Sequence, residues 1–241
     1  MHFEERESTL VLRFANLSGF PHLEHFFVTR RTPYDVRTEE GRKVISHLFG
    51  IGPIFVPYQV HGTDFLVFDD EVWYNASCRV ADAVLVRRRG FYCGVLVADC
   101  VPLLLFAPES EVVALVHAGW RGIARGIHRR VLQAMRERFS VSPSRLVGGV
   151  GPAIGPCCFE VGEEVAKIFA AQGKGAWVRW QKEKAFVDLK GIVVADLLSE
   201  GVREENLEVS SFCTFCEESL FYSFRRDRTE KRCLLVAGLR G

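Results

Sequence analysis

The chain has 241 residues, of which 48% are hydrophobic and 25% charged, and this composition excludes disordered and fibrous proteins. Lysine and arginine number 31 against 30 acidic residues, so the formal net charge of +1 argues against a nucleic-acid or membrane-surface partner. The N-terminus is polar, and Asp99 and Pro102 interrupt the most apolar stretch, so neither a signal peptide nor a membrane span is predicted.

Short apolar runs alternate with amphipathic segments along the whole chain, without a repeat or a linker. Runs that are rich in Val, Leu and Phe and bounded by Gly, Pro or Asp predict β-strands. In chain order these strands cover residues 54–60, 65–68, 83–86, 94–97, 103–106, 112–116, 146–150 and 234–237. Residues 223–227 are interpreted as the end of a further, aromatic-rich strand.

Helical spacing of apolar residues is clearest over residues 123–139, where Arg and Glu separate the apolar positions. Weaker helical patterns cover residues 38–49, 161–171 and 188–198. Strands and helices alternate from end to end, which predicts one mixed domain over residues 1–241.

Eight cysteines do not require disulfides in a chain long enough to bury a full core, so a reducing cytoplasm is predicted. Cys78, Cys93 and Cys233 are typical of thiols that pack as small hydrophobic residues. Cys213 and Cys216 form a C-x-x-C, which is either half of a zinc site, a redox pair or simple packing. Packing is the favoured interpretation, because the chain has no second C-x-x-C and no thioredoxin-like context.

Possible metal ligands lie at the ends of three predicted strands: His61, Cys100 and His117. A residue at a strand end is exposed in a cleft while the sheet holds its backbone. A single histidine in an apolar strand is more typical of the core, but two imidazoles and one thiolate together are a plausible zinc set. Three protein ligands leave a fourth position open for water or substrate. The hypothesis is that these three residues bind one Zn²⁺ ion.

Two further segments offer groups that bind anions or face a site. The stretch Gly119-Trp120-Arg121-Gly122 leads into the predicted helix, whose first N–H groups would form an anion seat. Arg225, at the end of its predicted strand, carries a guanidinium suited to phosphate or carboxylate. The Gly- and Pro-rich residues 148–160 predict a loop, in which Cys158 and Glu160 either face a site or only accompany a turn of the chain.

Several motifs together resemble the YfiH-type family, long labelled multicopper polyphenol oxidoreductase or laccase domain and since described as purine nucleoside phosphorylases. They occur in the family's order from about residue 29 to residue 232. The matching motifs are Gln-Val-His-Gly at 59–62, Ala-Asp-Ala at 81–83, Ala-Asp-Cys-Val-Pro-Leu at 98–103, His-Ala-Gly-Trp-Arg-Gly at 117–122, Gly-Pro through Cys-Phe-Glu-Val-Gly at 151–162, and Ser-Phe-Arg-Arg-Asp at 223–227.

The resemblance implies an α+β fold, a single domain with mixed β-sheets flanked by helices, and a zinc on His61, Cys100 and His117. It also implies cleavage of adenosine, inosine and 5′-methylthioadenosine by phosphate to the free base and ribose 1-phosphate, with accompanying adenosine deaminase activity. The expected partners are purine nucleosides and phosphate, and the chain is expected to be a monomer or a homodimer. At the positions that match the family's motifs, the resemblance implies Arg121 and Arg225 as phosphate ligands. It implies Asp82, Asp99 and Glu160 as the residues that support the substrate site.

The chain departs from the family pattern at two places. After Arg30 the family has a Gly-Gly segment and a longer loop, whereas this chain soon reaches a predicted helix. Near the C-terminus Lys231 occupies a position that is usually Gly. Any substrate contact made by the family's longer loop is therefore not expected here.

Three alternatives remain open from the residues. A copper-dependent polyphenol oxidase, the family's old label, is disfavoured because the chain has 7 histidines and no H-x-H pair. A Cys–His hydrolase or deamidase would use Cys100 as the nucleophile and His117 as its base. A non-catalytic metal- or nucleotide-binding protein would bind its ligand without turnover.

Overall fold

The apolar runs of the sequence form three β-sheets among residues 1–69 and 79–241, the residues that this computed structural model describes. In chain order the strands are β1 (His2–Arg6), β2 (Thr9–Arg13), β3 (Leu23–Val28), β4 (Ile54–Phe55), β5 (Phe65–Phe68), β6 (Ala83–Val86), β7 (Tyr92–Val97), β8 (Val101–Ala107), β9 (Val112–Ala118), β10 (Val147–Val150), β11 (Glu160–Val161), β12 (Val178–Gln181), β13 (Lys184–Val187), β14 (Leu207–Val209) and β15 (Cys233–Leu239).

The α-helices connect these strands and cover the sheets. They are α1 (Glu39–Phe49), α2 (Trp120–Ala124), α3 (Ile127–Phe139), α4 (Glu163–Phe169), α5 (Leu189–Ser199) and α6 (Phe224–Asp227). Helix α1 begins where the Thr38 side chain accepts a hydrogen bond from the Gly41 N–H, and Asp188 caps α5 in the same way through Gly191. No helix in the described part of the chain is long and apolar enough to cross a membrane.

Two six-stranded sheets and one three-stranded sheet make up the β structure. Their orders are β1-β2-β3-β15-β7-β4, β14-β10-β8-β9-β6-β5 and β11-β13-β12. Most neighbours are antiparallel, but β4 with β7, β5 with β6, and β10 with β14 are parallel. The predicted α+β class with mixed sheets is therefore confirmed.

The second large sheet is buried on both faces. Leu103 and Leu105 of β8 pack in a cluster with α3 and α5, whereas Leu104 and Phe106 pack in a cluster with β7 and β15. Alternate residues of a strand point to opposite faces, so one strand contributes to both clusters. Helix α1 covers the outer face of the first sheet. The layers are thus α1, two sheets, and the helical layer of α3 and α5.

The structure corrects three predicted elements. The strand predicted over 54–60 ends at Phe55, shortly before Pro57. The helix predicted over 123–139 is two helices, because Gly126 has a left-handed φ of 76° between α2 and α3. The strand end predicted at 223–227 is wrong, because this segment is α6, capped by the Ser223 hydroxyl that accepts from the Arg226 N–H.

Two of the cysteines predicted to pack do so. Cys93 in β7 and Cys233 at the start of β15 are both buried. Cys78 lies outside the described residues. The packing prediction is confirmed for Cys93 and Cys233.

Candidate metal centre and active site

The pairing of β8 with β9 places Cys100 beside His117. The two strands are antiparallel, with Val101 opposite Ala118 and Pro102 opposite His117. Cys100 immediately precedes β8 and His117 is the last residue but one of β9. Residues at the start of one strand and the end of its antiparallel neighbour share a sheet edge, so the thiol and the imidazole lie together.

Asp82 fixes the orientation of His117 from the next strand. It directly precedes β6, whose Ala83 lies opposite Val116 of β9. The His117 N–H donates to the Asp82 carbonyl at 2.7 Å, and Nδ1 of the ring donates to Asp82 Oδ1 at 2.7 Å. With Nδ1 used in this way, Nε2 remains for a metal or a proton. Asp82 is fully buried, so this orientation is rigid.

The same carboxylate holds the loop that carries His61. Its oxygens accept from the backbone N–H groups of Val60 at 3.2 Å, His61 at 2.9 Å and Gly62 at 2.6 Å. His61 itself has φ of 59°, in the left-handed region that non-glycine residues seldom adopt. The site therefore holds His61 in a backbone conformation that Asp82 stabilises.

The three ligand atoms of His61, Cys100 and His117 all lie within 4.8 Å of one another. The rings of His61 and His117 are 4.8 Å apart between centroids at an interplanar angle of 77°. His117 is buried, Cys100 is half-buried and His61 is exposed. One side of the cluster is therefore reachable from solvent, as an open coordination position requires.

Charge in the cluster favours a thiolate. Burial raises the pKa of Cys100, but His117 and His61 outweigh burial and lower that pKa to about 6. Burial lowers the pKa of His117, but the Cys100 thiolate and Asp82 raise it to about 9. Two imidazoles and a readily ionised thiol fit zinc, which binds nitrogen and thiolate sulfur.

Arg225 is hydrogen-bonded to the neighbour of Cys100, and Arg121 is close to the cluster along the chain. Arg121 is exposed two residues after Gly119, and its guanidinium lies 4.4 Å from the centroid of the Trp120 ring. The backbone N–H of Arg225 donates to Asp99 Oδ2 at 2.7 Å, and its Nη1 donates to the Glu160 carbonyl at 2.7 Å. The helix that begins after Gly119 is the five-residue α2 and not the long helix α3, so the predicted anion seat would lie at the start of a short helix.

Asp99 connects the site to the C-terminal loops. It has φ of 90°, and its carboxylate accepts from the Thr214 hydroxyl at 2.6 Å and the Ser223 hydroxyl at 3.0 Å in addition to Arg225. The Asp99 carbonyl accepts from the Ile154 N–H at 3.0 Å. Asp99 thus holds three separate segments against the residue next to Cys100.

Glu160 lies at the start of β11, half-buried, and its Oε2 accepts from Lys184 Nζ at 2.9 Å. Glu160 is thus hydrogen-bonded to Arg225 through its backbone carbonyl and to Lys184 through its carboxylate. The Glu160 carboxylate forms an exposed ion pair, which contributes little stability.

Sequence reasoning missed three residues that organise this region. Thr214 and Ser223 hold Asp99, and Arg226 donates to the carbonyls of Thr214, Phe215 and Phe221 while it pairs with Asp227. The Arg225-Arg226-Asp227 run was a visible signal for Arg226. No local signal marked Thr214, because its partner lies 115 residues away.

A cavity of about 740 Å³ lies beside α3, away from the predicted site residues. Its lining includes Arg125, Arg129, Arg130 and Lys174, and none of His61, Cys100 or His117. The cluster of His61, Cys100 and His117 therefore does not line this cavity.

Comparisons with known proteins agree on one family. The family model described as multi-copper polyphenol oxidoreductase laccase matches residues 30–239. Purine nucleoside phosphorylase YlmD of Geobacillus stearothermophilus is 35% identical over 193 residues, which cover 76% of this chain and 70% of that relative. Purine nucleoside phosphorylase YfiH of Escherichia coli K12 is 36% identical over 202 residues, 80% of this chain and 77% of that relative.

A solved structure extends the similarity to the whole fold. The crystal structure of YlmD from Geobacillus stearothermophilus superposes with a TM-score of 0.86 at 27% identity, covering 99% of this chain and 98% of that chain. The mixed sheets and the helices described above are therefore shared over almost the full length.

Proposed function

The chain belongs to the multi-copper polyphenol oxidoreductase laccase family, and from this membership we propose that it is a purine nucleoside phosphorylase. We propose adenosine, inosine and 5′-methylthioadenosine as substrates, with adenosine deamination as an accompanying activity. A reducing compartment such as the cytoplasm suits it, because Cys100 must remain a thiol to bind metal.

One observation carries the proposal. The ligand atoms of His61, Cys100 and His117 converge within 4.8 Å, and both candidate phosphate ligands are near residues that adjoin this cluster. Arg121 follows Gly119, which touches the cluster, and Arg225 is held by Asp99, the neighbour of Cys100. Guanidinium groups at a site can bind and orient the phosphate that reacts with a nucleoside.

In phosphorolysis a phosphate oxygen forms a bond to C1′ of the ribose, and the bond from C1′ to the purine nitrogen breaks. The electron pair leaves with the base, which takes up a proton. We assign Arg121 and Arg225 to binding and orienting the phosphate, because a guanidinium fork matches phosphate oxygens. We assign Glu160 to offer negative charge to the cationic sugar.

Asp82 and Asp99 act in this proposal as positioning residues. Asp82 holds His117 and the His61 loop, and Asp99 holds Arg225 through its backbone. Zinc on His61, Cys100 and His117 would supply Lewis acidity, the chemistry that deamination at C6 of adenosine needs.

A second candidate is a Cys–His hydrolase or deamidase. In this candidate Cys100 is the nucleophile, His117 is its base, and Asp82 orients the His117 ring. The lowered pKa of Cys100 favours a thiolate. A thiolate that binds zinc is not free to attack, so metal occupancy separates the two candidates. The copper oxidase is disfavoured, because this cluster offers two imidazoles rather than the many that a copper cluster uses.

The test is chromatographic. Purified protein of measured metal content is incubated with adenosine, inosine and methylthioadenosine, with and without phosphate, and the products are identified. We expect free base only with phosphate, and a loss of at least about 100-fold in His117→Ala, the size of effect expected when a general acid–base or metal-ligating group is removed. His47→Ala, at an exposed histidine of α1, is the control and should retain activity.

Arg121→Ala tests the phosphate assignment in the same assay. We expect a higher KM for phosphate with a smaller change in the KM for nucleoside, because the lost guanidinium binds one substrate only. Arg125→Ala, at another exposed arginine, is the matched control. A folded, zinc-containing protein that forms neither free base nor inosine from adenosine would defeat the proposed function and favour the non-catalytic binding protein, whereas a folded protein without zinc at Cys100 that forms neither product would favour the hydrolase.

A further inference from the structure

Four cysteines from two distant loops meet at one place. Cys157 and Cys158 lie between β10 and β11, and Cys213 and Cys216 lie between β14 and α6. Their four Sγ atoms are all within 4.8 Å of one another. The favoured sequence interpretation of Cys213 and Cys216, in which they only pack, does not explain why they converge with two cysteines more than fifty residues away.

The sulfur spacing matches thiolates around one cation. Cys158 and Cys216 have Sγ atoms 3.4 Å apart, and Cys157 and Cys216 have Sγ atoms 3.8 Å apart. A tetrahedral zinc ion with Zn–S bonds of about 2.3 Å separates its sulfurs by about 3.8 Å. A disulfide would bring two sulfurs to about 2.05 Å. These two distances are therefore close to the spacing of a four-thiolate zinc site and far from that of a disulfide, and the other sulfur–sulfur distances are at most 4.8 Å.

The backbone prepares Cys213 as a ligand. The Gly155 N–H donates to Cys213 Sγ at 3.2 Å, and the Thr214 N–H donates to the Ala153 carbonyl at 3.0 Å, which pins the two loops together. A Cβ at position 155 would lie 3.2 Å from Cys157 Sγ and 3.5 Å from Cys213 Sγ. Glycine at this position therefore gives the sulfurs room, and its N–H stabilises negative charge on sulfur.

Positive charge flanks the cluster. Lys190, buried in the first turn of α5, donates from Nζ to the carbonyls of Ser210 and Phe212, and it interacts electrostatically with Cys213 and Cys157. Arg179 donates to the Pro156 carbonyl at 3.4 Å, next to Cys157. A zinc ion with four thiolates carries a net charge of −2, which these cations offset.

From the convergence, the sulfur spacing and the flanking cations we infer that Cys157, Cys158, Cys213 and Cys216 bind a structural Zn²⁺ ion, in addition to the site at His61, Cys100 and His117. Four protein ligands leave no open position, so this ion does not act on substrate. It cross-links the loop that leads to Glu160 with the loop that Arg226 holds at Thr214 and Phe215.

The test measures zinc per chain in purified full-length protein. We expect Cys157→Ser/Cys216→Ser, which changes the two exposed cysteines, to lose one zinc equivalent relative to the unmodified chain. His61→Ala/His117→Ala should keep that equivalent, so the result does not depend on the proposed function. Cys216→His should still bind zinc at this site, because histidine is also a zinc ligand. Cys216→Ser should bind zinc more weakly than the unmodified chain, and the loss of affinity should exceed the roughly 10- to 100-fold that is typical of losing an outer-shell partner.

Cobalt substitution gives a readout that needs no activity. With Co²⁺ in place of zinc, His61→Ala/His117→Ala should show thiolate-to-cobalt charge transfer and the ligand-field bands of a tetrahedral sulfur site. The denatured, metal-free chain should expose all 8 thiols. Three results would each overturn the inference. The folded cysteine variant could contain as much zinc as the unmodified chain, the cobalt spectrum could lack thiolate bands, or a disulfide could reduce the number of free thiols.

Discussion

At the scale of single residues, the geometry of the candidate site depends on the buried carboxylate of Asp82. Asp82 accepts hydrogen bonds from three consecutive N–H groups of the His61 loop and from the ring of His117. Burial raises the pKa of Asp82, but His117 and the N–H of Gly62 outweigh burial and lower it, so the carboxylate stays charged. A charged buried acceptor holds two metal ligands in one geometry.

A substitution at Gly119 tests how tightly the side chains of His61 and Cys100 are packed. A Cβ at this position would lie 2.8 Å from His61 Cδ2 and 3.1 Å from Cys100 Sγ, although φ of −72° suits alanine. We expect Gly119→Ala to weaken zinc binding by roughly 10- to 100-fold, the cost of a displaced ligand shell, while the fold persists. Competition with a zinc chelator measures the affinity.

The control for this prediction is Gly19→Ala. Gly19 is exposed, and a Cβ there meets nothing within 4 Å, so zinc affinity should not change. An unchanged affinity in Gly119→Ala as well would show that the cluster tolerates the extra methyl group and that the packing argument is incorrect.

At the scale of elements, antiparallel register explains why two residues 35 positions apart are in contact. His117 and Asp82 meet because β6 and β9 pair with Ala83 opposite Val116. The pairing of β8 with β9 adds Cys100. A shift of one residue in either register would turn these side chains to the other face of the sheet, so buried faces on both sides fix the site.

Strand β3 carries a buried histidine that predicts a pH effect on folding. His25 Nε2 accepts from the Phe14 N–H at 3.1 Å, next to Arg13, with Glu24, His2 and Glu208 nearby. Burial and the Arg13 charge lower the pKa of His25 to about 4. In the unfolded chain His25 takes up a proton as the pH falls below its ordinary pKa of 6.5. In the folded chain it takes up this proton only near pH 4. Stability therefore falls as pH falls through this window.

Urea unfolding at about pH 7 and at about pH 5 checks this prediction. One proton contributes about 1.4 kcal/mol of unfolding free energy per pH unit. The amide oxygen of His25→Gln can still accept a hydrogen bond from the Phe14 N–H. As the pH falls, we expect the unfolding free energy of this variant to decrease less steeply than that of the unmodified chain, by about 1.4 kcal/mol per pH unit. Equal slopes in the two proteins would contradict a neutral, buried His25.

At the scale of the whole molecule, the two ends of the chain contribute unequally to one sheet. Strand β15 lies in the middle of the first sheet, between β3 and β7, and all of its residues are buried. Strand β1 is the edge of the same sheet and is mostly exposed. The C-terminal strand therefore completes the core, whereas the N-terminal strand only extends the sheet.

Deletion of each strand tests this difference. Loss of residues 233–241 removes Leu234, Leu235, Val236 and Leu239 from the core, about 6 to 12 kcal/mol of apolar burial, which is comparable to the stability of a whole domain. We expect that variant not to fold. Loss of residues 2–6 should leave a folded protein. Circular dichroism and size-exclusion chromatography distinguish the outcomes, and a native-like fold without β15 would contradict the prediction.

The sequence alone predicted the parts of the molecule that depend on local pattern. Strands over 65–68 and 83–86 have the predicted bounds, and α1 and α5 begin one residue after the predicted starts because Thr38 and Asp188 are caps. The convergence of His61, Cys100 and His117 was also predicted, although the strand predicted before His61 ends at Phe55 and belongs to the other large sheet. Strands β1 to β3 were missed, since Glu24 and His25 interrupt the apolar run of β3.

Only the tertiary structure decided which distant loops meet. It brings Cys158 to Cys216 and Asp99 to Thr214 and Ser223, and no spacing in the sequence indicates these pairs. It also splits the helix predicted over 123–139 at Gly126, and it makes residues 223–227 a helix. Local pattern reports which face of an element is buried, whereas contacts between loops depend on how whole sheets and helices pack.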